Sequence, residues 1–268
     1  MKGRFIIKVF VTDLDGTLLD AKGKLHPDMK ELIKVIRSKG FLFGVATGRP
    51  LFSAKAAIPD AEEIFDFLIC NNGGEIYDFV GRQYHQQYPL TKDVMNEIIE
   101  DNLKLGANPI LYINDQMVTA FEDVYNQRVR TFLDVVYEED IYSVVPETLP
   151  KIIFSVTPEL GKDVISFHKE KANARYNAFK SQNELVEFMD PRVNKEVGLE
   201  WFCQQHNIDL SEVMSFGDND NDYELVRAAG VGVAMNNATD YVKSVADHVA
   251  KSNDEQGVYH FLMDYLSN

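Results

Sequence analysis

VFVTDLDGTLLD, Val9 to Asp20, is an apolar run that stops at two aspartates one residue apart and continues through a glycine, a threonine and two leucines. The run before the acids is continuously apolar, as strands of a parallel sheet are when helices cover both faces. Alternate residues of a strand share a face, so Asp13 and Asp15 would point the same way if the strand continued. Two carboxylates so placed repel, and each raises the pKa of the other. A positive group must lie near them, or the arrangement only costs stability.

The same alternation of elements continues outward. HPDMKELIKVIRSKG (26–40) places Pro27 at a first helical position and Met29, Leu32, Ile33 and Ile36 at helical spacing, with Gly40 as the stop. FLFGVAT predicts a second strand, LFSAKAAI a short helix and DFLIC a third strand that ends at the turn NNGG (71–74). Strand–helix–strand alternation of this kind indicates an α/β fold with a parallel sheet.

From about Glu75 to Asp190 the rhythm changes to short strands (PILYIND, MVTAF, KIIFSVT, ARYNAFKS, ELVEFMD) with helices at Thr91–Leu105 and Leu160–Ala172. Strands adjacent in sequence and joined by short turns predict an inserted α+β domain built on an antiparallel sheet with helices on one face. The first rhythm returns at Asn194, with a helix (KEVGLEWFCQQHN), a strand (EVMSFGD), further helices and strands (VGVAM, DHVA) and a terminal helix. The expected organisation is a discontinuous core of residues 1–82 and 190–268 interrupted by an α+β domain of residues 83–189.

The chain has 268 residues, 45% hydrophobic and 26% charged, with a net charge of -15. Such an acidic surface repels nucleic acid and anionic lipid, so neither is an expected partner. No stretch approaches the roughly twenty apolar residues needed to span a bilayer, and the basic start MKGRFIIK leads to no small-residue cleavage site. Cys70 and Cys203 lie in apolar settings, as buried thiols of a reducing cytoplasm do, and no Cys or His pair has zinc-ligand spacing. A cytoplasmic protein, monomeric or weakly dimeric, is expected.

In open α/β sheets, ligands bind at the carboxyl ends of the strands. Polar groups stand at four such ends: Asp13 and Asp15; Thr47, Gly48 and Arg49; Asn71 and Asn72; and GDNDND, Gly217 to Asp222. Lys195 opens the helix after the insert. Carboxylates gathered without histidine or cysteine favour a hard cation, Mg2+ above all, which often bridges to a phosphate. The set suits phosphoryl transfer. Asp13 can act as a carboxylate nucleophile, Mg2+ and Lys195 can neutralise charge, and Asp15 is the neighbouring general acid. Thr47 and the N–H groups beside it, including those of Gly48 and Arg49, can hold phosphate oxygens at a helix N-terminus.

DLDGT near the start, Thr47 after an apolar strand, a lysine after a long insert and then GDNDND together resemble the haloacid dehalogenase superfamily. The position of the insert resembles the type C2 cap class, and ICNNGGEIYD, VGVAMNNA and VAKSNDEQGV resemble the Cof-like branch of cap-bearing phosphatases. The resemblance implies a Rossmann-like core, an α+β cap domain, Mg2+ and hydrolysis of small phosphorylated metabolites. By motif position it also implies that Asp13 is nucleophile and metal ligand, and that Asp15 is acid/base and offers its main-chain carbonyl to the metal. Thr47 would bind phosphate, Lys195 would steady nucleophile and phosphate, and Asp218 would be the remaining metal ligand. Asn221 would touch phosphate or the metal's waters, while Thr17 and Asp222 would hold these groups in place, Asp222 by orienting Lys195. Glu196 and Asn236 stand where the branch usually has glycine.

Arg49 fits substrate binding and pairing with an acid equally well. The six histidines are scattered, Trp201 and Phe202 fit core packing, and the aromatic runs RQYHQQYPL and ARYNAF fit a sheet face of the insert. A phosphotransferase or mutase, and a non-catalytic sugar-phosphate sensor, are the alternatives to a phosphatase. A closing insert that contacts the leaving group is expected to choose among substrates.

Overall fold

The computed structural model describes residues 7–131, 133–171 and 174–267. The basic residues Lys2 and Arg4, and the expected helix end at Ala172, lie outside them. The chain divides into two compact units, one formed by the residues up to Gln87 and from Val193 onward, the other by Tyr88–Arg192.

The first unit opens with β1 (Val9–Thr12), α1 (Pro27–Ser38), β2 (Leu42–Ala46), α2 (Leu51–Ala57), α3 (Ala61–Ile64), β3 (Phe67–Cys70), β4 (Glu75–Asp78) and β5 (Gln83–Gln86). The second unit contains β6 (Leu90–Thr91), α4 (Lys92–Leu105), β7 (Asn108–Ile113), β8 (Gln116–Thr119), α5 (Val124–Val129) and β9 (Val135–Tyr137). It continues with α6 (Ile141–Val144), β10 (Thr148–Leu149), β11 (Ile152–Ser155), α7 (Pro158–Glu170), β12 (Asn177–Gln182) and β13 (Leu185–Met189). The first unit resumes with α8 (Lys195–Gln205), β14 (Val213–Gly217), α9 (Tyr223–Ala228), β15 (Val231–Met235), α10 (Asp240–Lys243), β16 (His248–Ala250) and α11 (Gly257–Ser267).

The sheet of the first unit has the order β16-β15-β14-β1-β2-β3-β4-β5, parallel from β16 to β3 and antiparallel through β4 and β5. Both faces of β1 are covered, which explains its unbroken apolar sequence. Phe10 packs with Met29, Ile33 and Ile36 of α1 and with Phe43. Val9 and Val11 face the other way, toward Leu199 and Phe202 of α8 and Leu225 of α9. Each fully buried side chain of this size contributes about 1.5–3 kcal/mol. The strand order reverses between β1 and β14, which sets the switch point, and hence the ligand crevice, at the carboxyl ends of these two strands.

The expected boundary at residue 83 falls within this sheet. Gly81 and Arg82, the latter with a left-handed φ of 53°, turn the chain so that Gln83–Gln86 pairs antiparallel with Glu75–Asp78. The aromatic run RQYHQQYPL therefore begins in the core rather than in the insert. His85 stacks on Trp201 of α8, with ring centroids 4.6 Å apart.

The second unit carries a six-stranded sheet of order β12-β13-β11-β7-β8-β9. Its alternating residues split between two clusters. Phe154, Phe188 and Leu111 pack against Met95 and Ile98 of α4 and Val164 of α7. Ile110, Met117, Ile153 and Leu185 pack with Val129 of α5. The strands β8 and β9 are parallel, because α5 carries the chain back between them, whereas the other pairs of this sheet are antiparallel.

Candidate active site

The loops that follow β1, β2, β3 and β14 meet at one end of the first unit's sheet. The strand β1 ends at Thr12, and the Asp13 N–H donates to the Phe216 carbonyl of β14 at 3.0 Å. Asp13 is buried. Lys195, the first residue of α8, is wholly buried and donates from Nζ to Asp13 Oδ1 at 2.6 Å and to Asp222 Oδ1 at 2.5 Å.

The turn NNGG is what lets this lysine arrive. Gly73 takes a φ of 101° and lies so close to the start of α8 that a Cβ there would stand 2.0 Å from the Asn194 carbonyl oxygen. Asn194 caps the helix, its Oδ1 accepting from the Val197 N–H at 3.0 Å.

The acidic loop is organised by its own last residue. Asp222, wholly buried, accepts the N–H groups of Asp218 and Asn219 on Oδ2, each at 3.0 Å, while its Oδ1 faces Lys195. Asp218 accepts from Thr17 Oγ1 at 2.6 Å, so the threonine of DLDGT ties the first loop to the acidic loop. Gly16 makes that approach possible: with a φ of 82°, a Cβ on it would lie 2.4 Å from Asp218 Oδ2.

The carboxylates of Asp13 and Asp15 diverge. The strand stops before both can share a face, and the chain turns at Gly16. The Asp15 side chain, 54% exposed, is held by Arg49 through Nε to Oδ2 at 2.7 Å and Nη2 to Oδ1 at 2.6 Å. The carboxylates that do gather around Asp13 are those of Asp218 and Asp222, each offering an oxygen within 4.8 Å of the others. The opening pair is thus tolerated because each acid has its own cation, Lys195 for Asp13 and Arg49 for Asp15.

Thr47 is buried after β2. Its N–H donates to the Ile69 carbonyl at 2.7 Å, and its carbonyl accepts from the Asn72 N–H at 3.0 Å. Its Oγ1 accepts the Arg49 N–H at 3.2 Å. Asn221 donates to Asn72 Oδ1 at 2.9 Å and so stands beside the NNGG turn. Asp220 is exposed and accepts from Thr239 Oγ1 at 2.8 Å. Glu196 points away toward Arg227 at 3.3 Å, and Asn236 accepts Lys243 on its main-chain carbonyl.

Two further residues bond to this site without having been singled out in the sequence. Asn237 donates to the Gly16 carbonyl at 2.8 Å, and Asn253 donates to the Leu19 carbonyl at 2.9 Å. Asn237 lies two residues past β15 and Asn253 three past β16, so the strand-end rule that located Asp13 reaches them as well.

The electrostatics are unbalanced. When all are ionised, three carboxylates share one ammonium, an excess of two negative charges. Burial pushes the Asp13 carboxyl up to about 8; Lys195 opposes the shift, while Asp222 and Asp218 add to it. Burial likewise pushes Asp218 up to about 6, against the hydrogen bond from Thr17. Burial would lower Lys195, but Asp13 and Asp222 hold it above the ordinary lysine value. An oxygen-only donor set carrying two surplus charges fits a hard divalent cation. Both oxygens of Asp222 are taken by Lys195 and main-chain N–H groups, which leaves Asp13 and Asp218 as the carboxylates open to such an ion.

Residues 10–262 match the family model of haloacid dehalogenase-like hydrolases. The chain is 27% identical to the 5-amino-6-(5-phospho-D-ribitylamino)uracil phosphatase YitU of Bacillus subtilis, over 95% of this chain and 96% of that protein. It is 26% identical to the B. subtilis phosphatase YwpJ, over 97% of this chain and all of that protein. The crystal structure of TM0651 from Thermotoga maritima superposes with a TM-score of 0.87 at 26% identity, covering 97% of each chain. A match that runs from β1 into α11 takes in both halves of the core and the insert between them: the chain belongs to the haloacid dehalogenase-like hydrolases, in their Cof-like branch, and is a phosphatase of that type.

Proposed function

We propose that the protein hydrolyses small phosphate monoesters, sugar phosphates or similar metabolites, with Mg2+ and through an aspartyl-phosphate on Asp13. One observation carries the reading: a buried carboxylate at a strand end, hydrogen-bonded by a buried lysine and flanked by a second open carboxylate. Asp13 and Asp218, with the main-chain carbonyl of Asp15, would hold the cation. When bound, Mg2+ neutralises charge between these carboxylates and the phosphoryl oxygens.

In the first step an Asp13 oxygen attacks phosphorus, the bond to the ester oxygen breaks, and Asp15 delivers a proton to the leaving alcohol. In the second step Asp15 takes a proton from water as the water oxygen attacks phosphorus, which frees Asp13 and orthophosphate. Asp15 must leave Arg49 for either transfer, and a phosphoryl dianion is a competing partner for the guanidinium. Lys195 holds Asp13 in place, Asp222 holds Lys195, and Thr47 and Asn221 meet the phosphoryl oxygens. Cys70 and Cys203 are buried thiols outside any disulfide, which suits a reducing cytoplasm, and no described helix is long and apolar enough to cross a membrane.

The core groups address only the phosphoryl group and the cation, so the choice of ester rests on other residues. The test is a screen of phosphorylated metabolites, including 5-amino-6-(5-phospho-D-ribitylamino)uracil, compared by kcat/KM with Mg2+ and with chelator. The expected result is Mg2+-dependent orthophosphate release from one or more small esters. Full activity in chelator, or a preference for a phosphopeptide over every small ester, would overturn the proposal.

A further inference from the structure

The loop of residues 16–21 is held to the rest of the sheet edge by a closed set of amide contacts. Asn237 Nδ2 donates to the Gly16 carbonyl at 2.8 Å and approaches Asp218 Oδ2 at 3.5 Å. Asn237 Oδ1 accepts the Asn253 N–H at 3.2 Å. Asn253 Nδ2 returns to the same loop at the Leu19 carbonyl, 2.9 Å away. The ring therefore runs from Gly16 through Asn237 and Asn253 to Leu19.

The backbone next to Asn237 adds to the brace, since the Thr239 N–H donates to the Asp218 carbonyl at 2.9 Å. Two carboxylates open to a cation, Asp13 and Asp218, sit on separate loops after β1 and β14. Thr17 ties the first loop to Asp218 from within it, and Asn237 is a side chain from outside both loops that bonds to the first and reaches toward the carboxylate of the second. Gly16, with its left-handed φ, is the turn at which Asn237 grips the first loop.

We infer that Asn237 is a positioning residue that sets the spacing of the two cation-binding loops, with Asn253 as its support. The inference rests on the proposed divalent-cation site and goes beyond it in naming what holds that site in register. Losing the side chain of Asn237 leaves the ligands present but lets the loop after β1 drift relative to Asp218, so affinity falls more than turnover. Outer partners of metal ligands typically contribute roughly 10–100-fold to affinity. Asn237 is exposed and contacts a main-chain carbonyl, so the lower end of that range applies.

The experiment is direct titration with Mn2+, read as free Mn2+ by electron paramagnetic resonance, on the wild type, Asn237→Ala and Asn236→Ala. Melting temperatures in chelator are recorded for each. The expected result is about tenfold weaker Mn2+ binding for Asn237→Ala, with wild-type melting in chelator and with kcat at saturating Mn2+ within a few-fold of wild type. Asn236→Ala, whose neighbour contact is made by its main chain, should bind as the wild type does. Equal affinities for wild type and Asn237→Ala, or the same loss in Asn236→Ala, would overturn the inference alone. A wild-type protein that binds no Mn2+ would bring down the cation site itself, and this inference with it.

Discussion

Among the described residues, two lysines are buried against carboxylates, one in each unit. Lys151 meets Glu187 at 2.9 Å on a face of the insert's sheet, just before β11 and in the middle of β13. Lys195 meets Asp13 and Asp222 at the end of the core's sheet, with Asp218 close by. Glu187 sits opposite Ile153 in the strand ladder, held by backbone pairing on both sides. Asp13, Asp218 and Asp222 instead lie past the ends of their strands, where main-chain N–H groups and side chains set their positions. A buried ion pair within a ladder fills space and gains little over an apolar pair. A charge-surplus cluster at strand ends keeps oxygen atoms open for a ligand, and this difference marks a site.

The largest expected effect is at Asp13. Asp13→Asn is nearly isosteric but a poor nucleophile, so hydrolysis of p-nitrophenyl phosphate should fall by about 10⁴-fold or more with an unchanged circular dichroism spectrum. A variant with wild-type turnover would remove Asp13 from its role and dissolve the contrast between the two lysine sites. Next comes the acidic loop. Asp218→Ala should weaken the apparent Mg2+ affinity by more than about 100-fold, whereas Asp220→Ala, whose carboxylate meets Thr239, should change it by less than about threefold. Equal affinities in activity titrations would reverse the assignment.

The raised carboxyl values give a third, smaller effect. Asp13, at about 8, and Asp218, at about 6, bind protons more tightly folded than unfolded. The stability they contribute is complete below the unfolded value near 3.8 and is lost as pH rises through about 6 and then about 8. Protein in chelator should melt at a lower temperature at pH 8.5 than at pH 5.5, and added Mg2+ should raise Tm more at the higher pH. Equal increments at both values would show that the cation does not relieve these carboxylates. The smallest effect on turnover is at the other lysine. Lys151→Met alone strands Glu187 and should cost about 3–5 kcal/mol, while Lys151→Met with Glu187→Leu should recover most of it and leave p-nitrophenyl phosphate turnover unchanged. A turnover loss in the double variant would give the insert's pair a functional role.

Much of the core was readable because its signals are local. An apolar run ending in Asp13, the turn NNGG and a lysine opening a helix are each visible within a few residues. Contacts that depend on tertiary approach were not. Arg49 suited two roles until the chain turned at Gly16 and brought Asp15 to it. The brace through Asn237 and Asn253 joins residues more than 200 positions apart: their places past strand ends put VAMNNA and KSNDEQ near the site, but nothing in them signals the Gly16 and Leu19 carbonyls as partners. In the insert, β7, β11 and β13 follow from their apolar composition. The parallel strand β9 was missed because only three residues pair and two of them are exposed. The strand β5 was assigned to the wrong unit because QYHQ is as polar as a linker.

The 182 positions between Asp13 and Lys195 have a consequence for synthesis. A ribosome adds ~5–20 residues per second, so Asp13 emerges about 10–40 s before its lysine exists. Through that interval β1 can pair with β2 while its other edge, the one destined for β14, stays open, and an open apolar edge invites pairing with a neighbouring chain. The insert, whose strands pair among themselves, can fold during this delay and keep its own apolar surface out of reach. The cluster of Asp13, Lys195, Asp218 and Asp222 is then among the last features to form, and phosphate or cation binding by nascent chains would report the moment at which β14 closes the sheet.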